Sequence, residues 1–477
     1  MAALLITNGK VWSQPAASTV LVEADRIMAV GADLEIPRGA RVIDADGASI
    51  LPAFNDAHVH FLMASRALGQ LDLFGVKTQA EIETRISEYT RSQDSDWVLG
   101  RGWFYSAFPG GMPTVALLDQ LVPDRPAYLE SFDAHTGWAN SRALAMAGAP
   151  DAGVLKEEAM LVVTTRIPGR TQAQDLAALR AGMRVAASRG VGSVQEAGDG
   201  MGQLPLWLSL RDAGELTVRV RLAFDMTPGV PMEDWKRRLN EYAEARRDRD
   251  PWISTGILKA FADGVVESKT AALFEPYAGT DERGSPLWGR EELRQAVAIA
   301  DGRGWQVQVH AIGDAAIRQA LDAFEGTAPG RRHRVEHIEA PRPSDLPRFA
   351  ALGVIASMQP QHADPNLTEV WRRNLGPERA ARGWPWREIL RSGGRLAFGT
   401  DWPVVPLEPF ASLELATQAL TAEQAISAWT SGSAYAEHAD GEKGEIREGM
   451  LADIAVVDLD GARVRATVVG GAVVYEE

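Results

Sequence analysis

Eight short stretches of this chain are apolar or β-branched and run into polar residues at or just past their ends. They are Ala53–His60, Gly192–Ala197, Val218–Asp225, Gly256–Phe261, Gln306–Ala311, Arg334–Glu339, Val354–Gln359 and Arg395–Asp401. Helical periodicity fills most of the gaps, at Leu176–Arg189, Glu291–Arg303, Asp314–Glu325 and Pro385–Arg391. Short strands alternating with helices are the pattern of parallel βα units buried on both faces. Eight such units predict a closed (β/α)8 TIM barrel in an α/β chain. The competing arrangement, a doubly wound open sheet, wants a G-x-G-x-x-G run after its first strand, and none is present. The first and second strands are separated by about 130 residues, far more than one helix needs. That stretch, about 62–185, reads as an insertion that contains a helix at Glu81–Arg91 and the further segments Trp97–Gly100, Pro126–Glu130 and Ser141–Ala147. Insertions after a barrel strand sit at the catalytic mouth, so this one is expected to shape a substrate pocket.

Both ends of the chain read differently. Leu4–Ile6 leads into Asn8-Gly9, a hairpin signal. Thr19–Val22, Arg26–Gly31 and Arg41–Asp44 follow, and Asp453–Asp458 and Ala466–Val474 close the chain with Gly pairs between short strands. Two β-rich ends around an α/β middle predict a composite β-sandwich domain from 1–50 and 440–477, around a barrel spanning 51–439. Two unrelated decorations are the alternative.

Composition limits what chemistry the mouth can hold. The chain has 477 residues, of which 45% are hydrophobic and 24% charged, so it can bury a core. It has no cysteine, which removes disulfides, thiolate metal sites, Fe–S clusters and a cysteine nucleophile. A transition-metal site must then use His, carboxylate or modified Lys, and only eight histidines exist. A formal charge of −15 with short, interrupted basic clusters argues against a nucleic-acid partner. No apolar run is long enough for a membrane span, and the N-terminus lacks a leader pattern, so a cytoplasmic protein is expected.

The candidate ligands gather at strand ends. His58-Val59-His60 puts two imidazoles on one face of the first strand, and Asp56 shares that face. Alone this is weak evidence. Lys259 lies in the apolar run Ile257–Phe261, where a lysine is costly unless paired, modified or neutralised. His310, His337 and Asp401 end the fifth, sixth and eighth strands. Ligand-type residues at five strand ends of one barrel face predict a metal site built from His58, His60, Lys259, His310, His337 and Asp401.

These residues carry a resemblance. Pro52–His60, Asp133–Ser141, Lys259–Gly264, His310–Asp314, Arg334–His337, Gly399–Pro403 and Gly449–Val456 occur in the order found in the amidohydrolase superfamily. The chain resembles in particular amidohydrolase family 3, the YtcJ-like metal-dependent hydrolases, over nearly its whole length. The resemblance implies that His58 and His60 bind a buried metal. It implies that Lys259 carries a CO2-derived carbamate bridging two ions, that His310 and His337 bind the second, and that Asp401 binds the first and acts as general base and acid. Zn2+ suits imidazoles with anionic oxygen, with Mn2+ or Fe2+ as alternatives, and an unmodified Lys259 would favour one ion over two. The implied reaction is cleavage of a C–N, amide-type bond by a metal-activated hydroxide, on a small-molecule substrate such as an N-acyl or N-formyl amine. Ester, lactone or cyclic-amide hydrolysis, a lyase or isomerase, and a metal-free binding protein are the competing readings. Related barrels dimerise, so a homodimer is an analogy-based expectation.

The remaining histidines divide. His135 and His362 are candidate substrate contacts, His333 is expected to be solvated and His438 structural. Glu196 is weighed as a substrate contact or a supporting hydrogen bond, and Trp97, Trp103, Trp138, Trp288 and Trp402 as pocket lining or packing.

Overall fold

The computed structural model describes residues 3–149, 153–248 and 250–477. Met1 and Ala2, which open the segment read for a leader, lie outside them. Eight parallel strands form one sheet, labelled here β1 (Phe54–Val59), β2 (Val191–Glu196), β3 (Arg219–Asp225), β4 (Ile253–Phe261), β5 (Gln306–Ala311), β6 (Arg334–His337), β7 (Ile355–Met358) and β8 (Arg395–Phe398). Their order in the sheet is their order in the chain. Successive parallel neighbours need a crossover, and helices such as Gln172–Ser188, Arg290–Gly302 and Asp314–Ala323 supply it. Thr171 and Gln174 form a capping box that starts the helix before β2.

The sheet curls into a nearly closed barrel. Where β8 meets β1 the ladder is replaced by a few bonds at the mouth: Asp401 N–H donates to His58 O at 2.7 Å and His60 N–H to Trp402 O at 2.8 Å. Asp56 completes the seam, its Oδ1 accepting from Thr400 N–H at 3.0 Å and its Oδ2 from the Thr400 hydroxyl at 2.5 Å.

The insertion builds its own five-stranded sheet from Leu71–Asp72, Val98–Trp103, Ala127–Ser131, Thr136–Ala139 and Leu155–Lys156. Leu73, Ile82, Trp103, Leu118, Leu129 and Trp138 pack as its core. The terminal strands form two sheets. One holds Leu4–Thr7, Thr19–Glu23, Arg26–Gly31 and Arg41–Asp44; the other joins Lys10–Val11 and Ser49–Pro52 to the three C-terminal strands. Ser49–Pro52 pairs antiparallel with Ile454–Asp458, so the two chain ends share a ladder.

One local expectation fails. Asn8-Gly9 does not close a hairpin, because Leu4–Thr7 pairs with Thr19–Glu23 and Arg41–Asp44 while Lys10–Val11 pairs with Ser49–Pro52. The turn instead passes the chain between sheets. Gly9 is needed for closeness there: a Cβ would lie 2.4 Å from the Ile50 side chain. Among the described residues no helix is long and apolar enough to cross a membrane.

The barrel seam leaves no room at Gly399. A Cβ there would meet His58 N at 2.5 Å and Asp56 Oδ1 at 2.7 Å. Gly399→Ala is expected to lower stability by about 1–3 kcal/mol in equilibrium urea unfolding, because backbone atoms must move.

Candidate metal centre and substrate pocket

The mouth of the barrel draws its polar side chains from the ends of six strands and from the insertion. His58, Lys259, His310, His337 and Asp401 are each at most 6% exposed, and His60 is partly open to the pocket. Ring nitrogens of His58 and His337 and a carboxylate oxygen of Asp401 lie within 4.8 Å of one another. Lys259 Nζ is 3.3 Å from His58 Nε2. The rings of His310 and His337 meet edge to face with centroids 4.5 Å apart. All six sequence-predicted ligands thus converge on one spot.

The spacing suits a metal ion. Asp401 Oδ1 is buried and has no hydrogen-bond partner, yet lies 3.5 Å from His58 Nε2 and 3.4 Å from His60 Nε2. Ligands about 2.0–2.1 Å from a tetrahedral ion are about 3.4 Å from each other, so these separations are ligand-to-ligand edges. An unpartnered buried carboxylate oxygen is costly unless something cationic meets it.

Three of the four rings are each held through one nitrogen. His58 Nδ1 lies 2.5 Å from Glu336 Oε2, His337 Nδ1 2.8 Å from Gln359 Oε1, and His310 Nε2 3.2 Å from the Gly264 carbonyl. An acceptor on one nitrogen fixes the tautomer and directs the other lone pair, which is how ligating histidines are oriented.

Burial sets the charge states. It is the main cause holding His58, His310 and His337 well below the ordinary imidazole value and His60 down to about 3, so all four are neutral. Burial also brings Lys259 down to about 8, against the pull of Glu336 and Asp401, and pushes Asp401 up to about 6. His337 and Asp401 have left-handed backbones, with φ of 75° and 61°. Such conformations cost about 1–3 kcal/mol each and persist where the surroundings hold them.

Above this cluster opens a cavity of about 590 Å³, lined by His60, His310, His337 and Asp401 on its floor. Both predicted substrate contacts line it, each tied to a carboxylate. His135 Nδ1 is 2.8 Å from Glu157 Oε2, and His362 Nδ1 is 3.2 Å from Glu339 Oε1. Burial alone would depress both imidazoles, but these partners override it, taking His135 up to about 9 and raising His362. His362 Nε2 is buried without a partner, 3.8 Å from Asp401 Oδ2. Met63, Phe132, Met160, Phe261, Leu367 and Val404 make the walls apolar. Leu161 and Leu287 stand at the rim, 59% and 47% exposed.

Other expectations resolve here. The five tryptophans are buried and line none of this cavity, so they pack. Glu196 accepts from Leu62 N–H at 3.2 Å and sits 3.9 Å from His60 Nδ1, a supporting position. His333 is buried, contrary to the solvated expectation: it stacks on Phe324 and accepts from Val307 N–H, because its strand start turns the ring inward although its neighbours are arginines. Glu336, Gln359, Glu339 and Glu157 support the site without being among the residues expected from the sequence. For Glu336 a signal was present, since Arg334 and Glu336 repeat at the strand period and put two charges on one face of a buried strand.

The sequence model of the amidohydrolase family matches residues 41–475. The protein LONG AFTER FAR-RED 3 of Arabidopsis thaliana is 28% identical, covering 100% of this chain and 92% of that protein. An N-substituted formamide deformylase of Arthrobacter pascens is 24% identical, covering 96% of this chain and 93% of its own length. The crystal structure of an uncharacterized metal-dependent hydrolase from Pyrococcus furiosus superposes with a TM-score of 0.75 at 25% identity, over 96% of this chain and 100% of that one. With a family match over most of its length and a histidine–carboxylate cluster at the mouth of its barrel, the chain belongs to the amidohydrolase family.

Proposed function

We propose that this protein is a metal-dependent hydrolase of amide-type C–N bonds other than peptide bonds, acting on small N-acyl or N-formyl amines with a large apolar arm. The observation that carries the reading is the bare, buried Asp401 Oδ1 at ligand-to-ligand distance from two neutral imidazoles. His58, His60 and Asp401 would hold one divalent ion, with Zn2+ best matched to the donors, and His310 and His337 a second, with Lys259 Nζ 3.3 Å from His58 Nε2. A divalent ion held by these residues would lower the pKa of a coordinated water and polarise a carbonyl.

The side chains supply the rest. Asp401 faces both the ligand nitrogens and the cavity, so its carboxylate can take the proton from the attacking water and return it to the leaving nitrogen. His135 presents a charged imidazole to the cavity and would hold the substrate carbonyl or acyl group. His362 has an unpartnered Nε2 beside Asp401 and would contact the leaving side. The apolar walls support an apolar arm on the substrate, since a largely apolar cavity with a few convergent polar groups is the usual form of a small-molecule site.

Lys259 is the proposed site of a carbamate. Its Nζ, brought to about 8 by burial, has an unprotonated fraction at neutral pH. The ammonium first gives up one proton; the neutral amine then adds to CO2, the N–C bond forms and a second proton leaves, so that two protons in all are lost as the cation becomes an anion that would compensate metal charge.

Activity on N-formyl and N-acyl amines is expected to vanish after chelation and return with Zn2+. Within a series of matched leaving groups, kcat/KM is expected to rise roughly fourfold per added methylene of the arm. Full turnover of verified metal-free protein, or hydrolysis of lactones alone, contradicts the proposal. Protein grown with metal and 13C-bicarbonate is expected to show a carbamate carbon signal that Lys259→Ala lacks, and the variant is expected to hold one metal per chain where the parent holds two. For His135 the charged form is needed, so kcat/KM is expected to fall as pH rises through about 9. His135→Gln should be slower and lose that alkaline limb.

A further inference from the structure

We propose that Glu336 and Arg334 are positioning residues for His58, fixing which of its ring nitrogens faces the metal cluster. His58, Glu336 and Arg334 are all fully buried. Glu336 Oε2 lies 2.5 Å from His58 Nδ1, so the carboxylate takes the Nδ1–H and leaves the Nε2 lone pair toward Asp401 and Lys259. A lone buried carboxylate would be expensive, and Arg334 meets it with two bonds, Nε to Oε1 at 2.8 Å and Nη2 to Oε2 at 3.1 Å.

Arg334 is itself fixed from every side. Its Nη2 also donates to the Ser357 hydroxyl at 2.9 Å and to the Ala57 carbonyl at 2.5 Å, and its Nη1 donates to Gln195 Oε1. Gln195 donates to Asn55 Oδ1 at 3.3 Å, Asn55 donates to Glu437 Oε1 at 2.5 Å, and Glu437 pairs with Lys443 at 2.7 Å. A continuous buried chain of side chains therefore runs from Lys443 and Glu437 near the C-terminus to His58. Arginine does not give up a proton, so the chain cannot conduct one. What it can do is hold an orientation, and Arg334 anchors on β1, β2, β6 and β7 at once.

The inference rests on reading His58 as a metal ligand. The test is Zn2+ affinity, measured by competition with a chromophoric chelator, together with the visible spectrum of the Co2+-loaded protein. Glu336→Ala is expected to weaken Zn2+ binding by about 10–100-fold and to shift the Co2+ bands. Glu336→Gln keeps an acceptor for the Nδ1–H and is expected to recover part of the loss. Arg334→Met should resemble Glu336→Ala. If it does not fold, the double variant Arg334→Met/Glu336→Gln, which buries no unpaired charge, is measured instead and should bind more weakly than Glu336→Gln alone. Parent-like affinity and spectrum in Glu336→Ala overturn the positioning role. A His58→Ala protein that binds Zn2+ like the parent overturns the ligand reading instead, so the two failures are distinct.

Discussion

The seam between the first and last barrel strands is where fold and chemistry become one problem. Two backbone hydrogen bonds and the Asp56–Thr400 contacts join β1 to the end of β8. The same few residues carry His58, His60 and Asp401. The distance between the two imidazoles and the carboxylate is thus set by main-chain bonds, with little left to side-chain freedom. Gly399 permits the approach by having no side chain. Asp56, buried and pushed up to about 7, tolerates that burial because three donors meet its two oxygens.

Around the seam, desolvation does most of the electrostatic work. It neutralises four histidines and pulls a lysine toward neutrality, creating lone pairs where a cation can use them. Where a charged imidazole remains, at His135, a specific carboxylate was needed to reverse the effect of burial. The floor of the pocket is therefore a set of neutral donors and its flank is a charged pair, though both use the same residue type. Neighbouring oxygen acceptors decide which kind each histidine becomes.

Much of this was legible in the chain itself. The eight strands sit within a few residues of their expected positions because a parallel strand buried on both faces must be short and apolar, which composition reveals directly. The six converging ligand candidates were legible because ligand-type side chains at strand ends interrupt that apolarity. The supporting residues were not. Gln359 and Glu339 follow or end strands in ordinary polar surroundings, and only folding brings them against His337 and His362. His333 misled for the same reason: three arginines beside it suggested solvent, while the barrel turned its ring onto Phe324. Asn8-Gly9 has the composition of a hairpin, but strand partners are chosen by distant segments, here residues 49–52.

The inserted sheet has an apolar core separate from the barrel's and meets the histidine–carboxylate cluster through the cavity it helps to wall. It contributes Phe132, His135, Met160 and Leu161 to that cavity, while the floor comes from the barrel strands and the turns that end them. Shape and reactivity therefore reside in parts that answer to different stability constraints. Substitutions in the insertion can redraw the outline of what enters while the reacting centre stays as it was, and a lineage of such proteins can change its diet without relearning its chemistry.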